Sequence, residues 1–216
     1  MKRITVLISG SGSNLEALIN SCISKKISGE VVSVISNNPK AYGLTRAKKF
    51  NINTNIIDHR LFLNREDFDM KLEGFLEELD SDLIILAGFM RVLGKKITTK
   101  FVNKMINLHP SLLPSYPGLN THNQVLKNND KLHGISIHYV SPELDKGPLI
   151  AQGIIKVNPN EKEESLVSRI HKIEHILLPD IVNQICLGNI YLEGNEVIYK
   201  NIESLDRGII RKYYEI

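Results

Sequence analysis

The stretch VLISGSGSNLEALIN, residues 6–20, decides the fold. A short aliphatic run, Val6 to Ile8, enters a loop with glycines at 10 and 12 among small polar residues. Leu15, Leu18, Ile19, Cys22 and Ile23 then recur at i, i+3, i+4, i+7 and i+8, the spacing of one apolar helix face. Strand, tight loop and helix start in that order present backbone N–H groups and a positive helix end to an anion. A dinucleotide fingerprint would put a third glycine where Leu15 stands and an acid at the end of the second strand, which instead ends Ile35-Ser36-Asn37. A nucleoside triphosphate loop would need a lysine after Gly12, and none follows. Two readings remain: a site for one phosphate group on Gly12, Ser13 and Asn14, or a tight turn with Ser13 or Asn14 as helix cap.

Outward from this stretch, strand-like runs recur at 3–9, 30–36, 53–58, 82–88, 105–109, 133–141 and 149–157, with helical patterns between several of them. Such alternation is the signature of βαβ units. DLIILAG, residues 82–88, is apolar on both faces, as a central parallel strand covered by helices should be. Helices are expected at 41–50 and at 65–80, where Phe68, Leu72, Phe75, Leu76 and Leu79 share one side. After His138 two runs are joined by PELDKGP with no helix between them, which predicts an antiparallel extension. A long helix should follow from Glu163 to Leu187, kinked or interrupted at Pro179, and then a hairpin around Glu193-Gly194-Asn195. The expected fold is α/β: a single Rossmann-like open twisted sheet, mostly parallel with an antiparallel C-terminal extension, and helices on both faces.

At 216 residues the chain suits one domain. Within it, a phosphate-binding half is expected at about 1–100, a second half at about 101–190 and a tail hairpin at about 191–216. No apolar run approaches the roughly 18 to 20 residues of a membrane span. The N-terminal apolar stretch Ile4 to Ile8 is also shorter than the core of a secretory signal, so a cytoplasmic protein is expected. Cys22 and Cys186 lack ligand spacing and read as reduced structural thiols. The net charge of +3 comes from residues spread along the whole chain, which fits an anionic small molecule better than nucleic acid.

A second cluster lies in MINLHPSLLPSYPGLNTH, residues 105–122. On a strand, Asn107 and His109 point to one face and Leu108 to the other. Pro110 biases His109 to extended geometry, and Pro114 and Pro117 stiffen the loop that leaves the strand at the carboxyl edge of the sheet. Asp145, in a turn bracketed by Pro142, Gly147 and Pro148, offers a carboxylate that could orient an imidazole and favour its charged form. His138, alternating with Ser136, suits a core or supporting role. A zinc site on His109, His122, His133 and His138 would match no usual ligand spacing.

VLISGSGSNLEALI, LAGFMRVL, INLHPSLLPSYPGLNTH, HGISIHYVSPELDKGP and IHKIEH, in this order over nearly the whole chain, resemble the folate-dependent phosphoribosylglycinamide formyltransferases. Methionyl-tRNA formyltransferases would instead resemble SLLPxxRG and carry an extra C-terminal β domain. The resemblance implies that the amine of 5-phosphoribosylglycinamide attacks the formyl group of 10-formyltetrahydrofolate, the co-substrate, with no metal. It implies that Gly12, Ser13 and Asn14 hold the 5-phosphate and that Glu174 meets the glycinamide ribonucleotide. Arg65, Met90, Arg91, Val92, Leu93, Asn107, Val140, Ser141, Glu143 and Asp145 would border the folate. Asn107, His109 and Asp145 would be catalytic, with Asp145 keeping His109 charged, in a monomer or homodimer. Asn120, where the family often has histidine, and Lys146, beside Gly147, depart from the pattern. Another folate-dependent formyltransferase, a 10-formyltetrahydrofolate hydrolase and a non-catalytic phosphate sensor are the alternative readings.

Overall fold

A computed structural model describes residues 1–202, 205–206 and 208–216. Its strands are β1 (Lys2–Ile8), β2 (Gly29–Ser36), β3 (Asn53–Ile56), β4 (Leu83–Ala87), β5 (Met105–His109), β6 (Leu132–Tyr139), β7 (Leu149–Lys156), β8 (Ile190–Glu193), β9 (Glu196–Tyr199) and β10 (Ile210–Tyr213). Its helices are α1 (Ser13–Ile23), α2 (Tyr42–Lys49), α3 (Arg65–Leu79), α4 (Lys95–Lys100), α5 (Thr121–Lys127) and α6 (Glu163–Cys186).

Among the described residues, eight strands form one sheet in the order β10-β7-β6-β5-β4-β1-β2-β3, and β8 and β9 form a separate antiparallel hairpin. β1 pairs in parallel with both β2 and β4, so the chain winds outward in one direction to β3 and in the other to β5. That reversal opens a crevice at the carboxyl ends of β1 and β4. β6 runs antiparallel to β5 and β7, as the helix-free turn predicts.

Side-chain alternation divides the core between the two faces of the sheet. Ile4, Val6 and Ile8 of β1 and Leu83, Ile85 and Ala87 of β4 pack in one cluster with residues of α1, α2, α5 and α6. Leu7, Ile84, Leu86 and Met105 pack in the other with Phe68, Leu72 and Leu76 of α3 and Ile97 of α4. Phe75 and Leu79 pack only partly buried against that second cluster.

Four expectations need correction. Ile23 is 64% exposed; at 100° per residue it stands about 80° around the helix from Leu15, on the flank of the buried face. α6 runs through Pro179 as one helix, because Leu177, Leu178, Ile181 and Val182 around it are fully buried, and their packing outweighs one missing backbone donor. The tail is more than a hairpin: after β8 and β9 the chain returns as β10, parallel to β7, and extends the main sheet. Glu203, Ser204 and Arg207, which the expected tail hairpin also included, lie outside the described residues. The short helices α4 and α5 have no counterpart among the expected elements.

Candidate active site

Ser9 ties the loops that follow β1 and β4 together: its N–H donates to the Gly88 carbonyl at 3.0 Å, and its hydroxyl accepts from Met90 N–H at 2.7 Å. Gly12 ends the first loop in the left-handed region (φ 72°, ψ 28°) and is the N-cap of α1, with no side chain capping the helix. Neither Ser13 nor Asn14 is therefore the cap. Asn14 instead turns its amide to α6 and donates to Glu174 Oε2 at 2.9 Å. Glu174, on the buried face of α6, is 5% exposed. Burial pushes its carboxyl up to about 7, against the opposing pull of the Asn14 amide.

Asn107 and His109 lie at the end of β5, and the antiparallel register sets His138 opposite Asn107 and Ser136 opposite His109. The Asn107 amide nitrogen donates to Asp145 Oδ1 at 3.3 Å and lies 3.1 Å from His138 Nε2. His138 Nδ1 faces the Tyr139 carbonyl at 2.9 Å, an acceptor only, which places a proton on Nδ1. Asp145 Oδ2 accepts from Gly118 N–H at 2.8 Å and stands 3.5 Å from His109 Nδ1, while His109 Nε2 faces the Tyr116 carbonyl at 2.9 Å. One carboxylate thus meets the amide, both imidazoles and the loop that leaves β5.

The electrostatics depart from expectation. Burial lowers the His109 pKa below its ordinary value, and the Tyr116 carbonyl and Asp145 only partly oppose it. Asp145 therefore raises the ring's pKa by less than burial lowers it, because desolvation of the cation outweighs one carboxylate at 3.5 Å. On Asp145 burial acts upward, but His138, the Gly118 N–H and His109 together keep its carboxyl below the usual value.

A narrow cavity of about 80 Å³ adjoins this cluster. Of the ten residues the resemblance assigns to the folate, all but Arg65 and Met90 line it: Arg91, Val92, Leu93, Asn107, Val140, Ser141, Glu143 and Asp145. Arg65 begins α3 and is exposed, with its guanidinium about 4 Å from where a side chain on Gly94 would start, and Met90 is exposed beside Ser9. Lys146 is ion-paired to Glu143 at 2.8 Å on the surface, so its charge is already matched. Asn120 caps α5 in the left-handed region (φ 60°), a conformation asparagine tolerates well.

The four histidines of the zinc alternative do not converge. His122 and His133 pair with each other at 2.9 Å, whereas His109 and His138 face Asp145. Three contributors escaped sequence reasoning: the direct contact of His138 with Asn107, the Gly118 N–H and the Tyr116 carbonyl. The first depends on strand register and the other two on loop path, and neither leaves a residue-type signal.

Residues 2–182 match the family described as formyl transferase, and the chain belongs to that family, whose reaction is folate-dependent formyl transfer. Phosphoribosylglycinamide formyltransferase of Escherichia coli is 40% identical over 192 residues, 89% of this chain and 91% of that protein. The structure of phosphoribosylglycinamide formyltransferase from Coxiella burnetii superposes with a TM-score of 0.91 at 42% identity, covering 98% of this chain and 99% of the other. Glycinamide ribonucleotide transformylase 1 of Symbiobacterium toebii gives 0.89 at 37% identity, over 93% and 95% of the two chains.

Proposed function

We propose that the chain transfers the formyl group of 10-formyltetrahydrofolate to the amine of 5-phosphoribosylglycinamide, giving the N-formyl ribonucleotide and tetrahydrofolate in purine biosynthesis. The observation that carries this reading is the Asp145 carboxylate, which joins Asn107 and His109 at the carboxyl end of β5 beside the cavity. The relatives' shared activity supports it.

In this reading Arg91, Val92, Leu93, Val140, Ser141 and Glu143 border the folate together with Arg65 and Met90, and bring N10 and its formyl group to Asn107. The N–H groups of Gly12, Ser13 and Asn14 receive the ribose 5-phosphate at the positive end of α1. Glu174, facing Asn14, meets the glycinamide ribonucleotide. When the amine attacks, the formyl oxygen gains charge, which the Asn107 amide stabilises by hydrogen bonding and the imidazolium forming on His109 stabilises by its charge. His109, with its lowered pKa, accepts a proton readily only as charge develops beside it, and Asp145 stabilises the imidazolium that forms. That pair carries the proton from the attacking amine toward the departing N10. No step requires a metal.

The whole chain is proposed to act as one formyltransferase domain in the cytoplasm, as a monomer or homodimer, on small-molecule substrates and without nucleic acid. Incubation with both substrates tests the reading: tetrahydrofolate should appear only when both are present. Formate released without the ribonucleotide would mark a hydrolase, and binding without turnover a sensor.

A further inference from the structure

The anion loop is shaped from outside, by α2. Gly43 N–H donates to the Gly10 carbonyl at 3.0 Å, and Arg46 Nε donates to the Ser11 carbonyl at 3.0 Å. In a trans peptide the C=O and the following N–H point in opposite directions. Holding the Gly10 and Ser11 carbonyls toward α2 therefore aims the Ser11 and Gly12 N–H groups away from it. The approach is close: a Cβ on Gly12 would lie 2.5 Å from Gly43 Cα and 3.7 Å from Arg46 Cδ.

Arg46 makes a second contact of a different kind. Glu16 sits in the first turn of α1, where a carboxylate would compete with a bound anion for the positive end of the helix. Its carboxylate is ion-paired to Arg46 Nη1, and the Arg46 guanidinium carbon also lies 5.0 Å from the Tyr42 ring centroid. One half-buried guanidinium thus holds a loop carbonyl and a competing carboxylate at once.

We propose that Arg46 is a positioning residue for the phosphate of the ribonucleotide, fixing the Ser11–Gly12 peptide and neutralising Glu16 without touching the reacting atoms. The proposal rests on the reading that the loop after β1 binds the 5-phosphate. Arg46 then sets the preference for a phosphorylated amine over its dephosphorylated counterpart.

The test is calorimetric binding of 5-phosphoribosylglycinamide and of the corresponding ribonucleoside to wild type, R46Q, R46K and the double variant E16Q/R46Q. Folate KM and kcat are read in parallel. R46Q should weaken ribonucleotide binding about 10- to 100-fold, the scale of charge-assisted hydrogen bonds, with ribonucleoside affinity and folate KM changed less than about twofold. R46K keeps the charge and the packed stem but lacks the two-pronged donor, so it should fall between wild type and R46Q. E16Q added to R46Q should restore part of the loss. Equal loss of both ligands in R46Q and R46K would make Arg46 a structural residue and overturn the proposal, as would ribonucleotide affinity at the wild-type level in both. Wild type that binds nucleotide and nucleoside equally would overturn the phosphate reading itself, and the role of Arg46 with it.

Discussion

Asn14 and Glu174, 160 positions apart in the chain, meet through a 2.9 Å hydrogen bond that joins the start of α1 to the middle of α6. The bond puts a nearly buried carboxyl group beside the loop that we assign to the phosphate, and burial sets its pKa at about 7.

A pH-dependent stability follows from that carboxyl. Below the ordinary value of 4.5 Glu174 is protonated in both states and contributes nothing. Between 4.5 and 7 the unfolded chain releases the proton while the folded one keeps it, so stability falls as pH rises, and above 7 the deficit is constant. Glu174→Gln should therefore be more stable than wild type at pH 8 by up to about 3 kcal/mol, with the gap closing toward pH 4.5. Urea unfolding at both pH values checks this; a gap independent of pH would show that the carboxyl does not titrate near 7. The same variant should bind the ribonucleotide more weakly.

His109→Ala should lower kcat by about two to four orders of magnitude, the usual scale for a positioned acid or base. Asn107→Ala should cost about 10² to 10³ through the lost oxyanion donor. Steady-state kinetics with both substrates decides the roles. A change confined to KM would make either residue a binding group, and near-normal turnover would remove it from the mechanism.

Asp145→Asn keeps the shape of the carboxylate and removes its charge. Asp145 raises the His109 pKa against the larger effect of burial, so its removal should lower that pKa further and reduce turnover. An NMR titration of His109 in the two proteins reads the shift directly. An unchanged midpoint would disprove the coupling across 3.5 Å.

Gly12→Val should harm ribonucleotide binding far more than Ser13→Ala. Valine disfavours the φ of 72°, and its Cβ would collide with the backbone of Gly43, so the loop must move off α2. Ser13→Ala removes at most one hydrogen bond, worth about 0.5 to 3 kcal/mol. Calorimetry of both ligands should show ribonucleotide affinity lost and folate affinity kept in Gly12→Val. Equal loss of both would make the loop a structural turn only.

Local pattern determined much of this protein. Aliphatic runs separated by 3.6-residue periodicity specified the alternation of strands and helices, because burial against a sheet requires that spacing wherever the helix packs. The doubly apolar run at Leu83–Ala87 marked the middle of the sheet, and the helix-free turn before Leu149 marked its antiparallel part. Strand parity placed Asn107 and His109 on one face, since successive side chains on a strand must alternate. Tertiary structure decided the rest. That His138 stands against Asn107 depends on the register between β5 and β6, and a shift of one residue would turn it to the other face. That β10 rejoins the sheet beyond β7, and that α6 passes through Pro179, depend on contacts between elements far apart in the chain. The direction in which the His109 pKa moves was beyond local reading for the same reason: desolvation sums over everything packed around the ring, whereas sequence displays only the partner that opposes it.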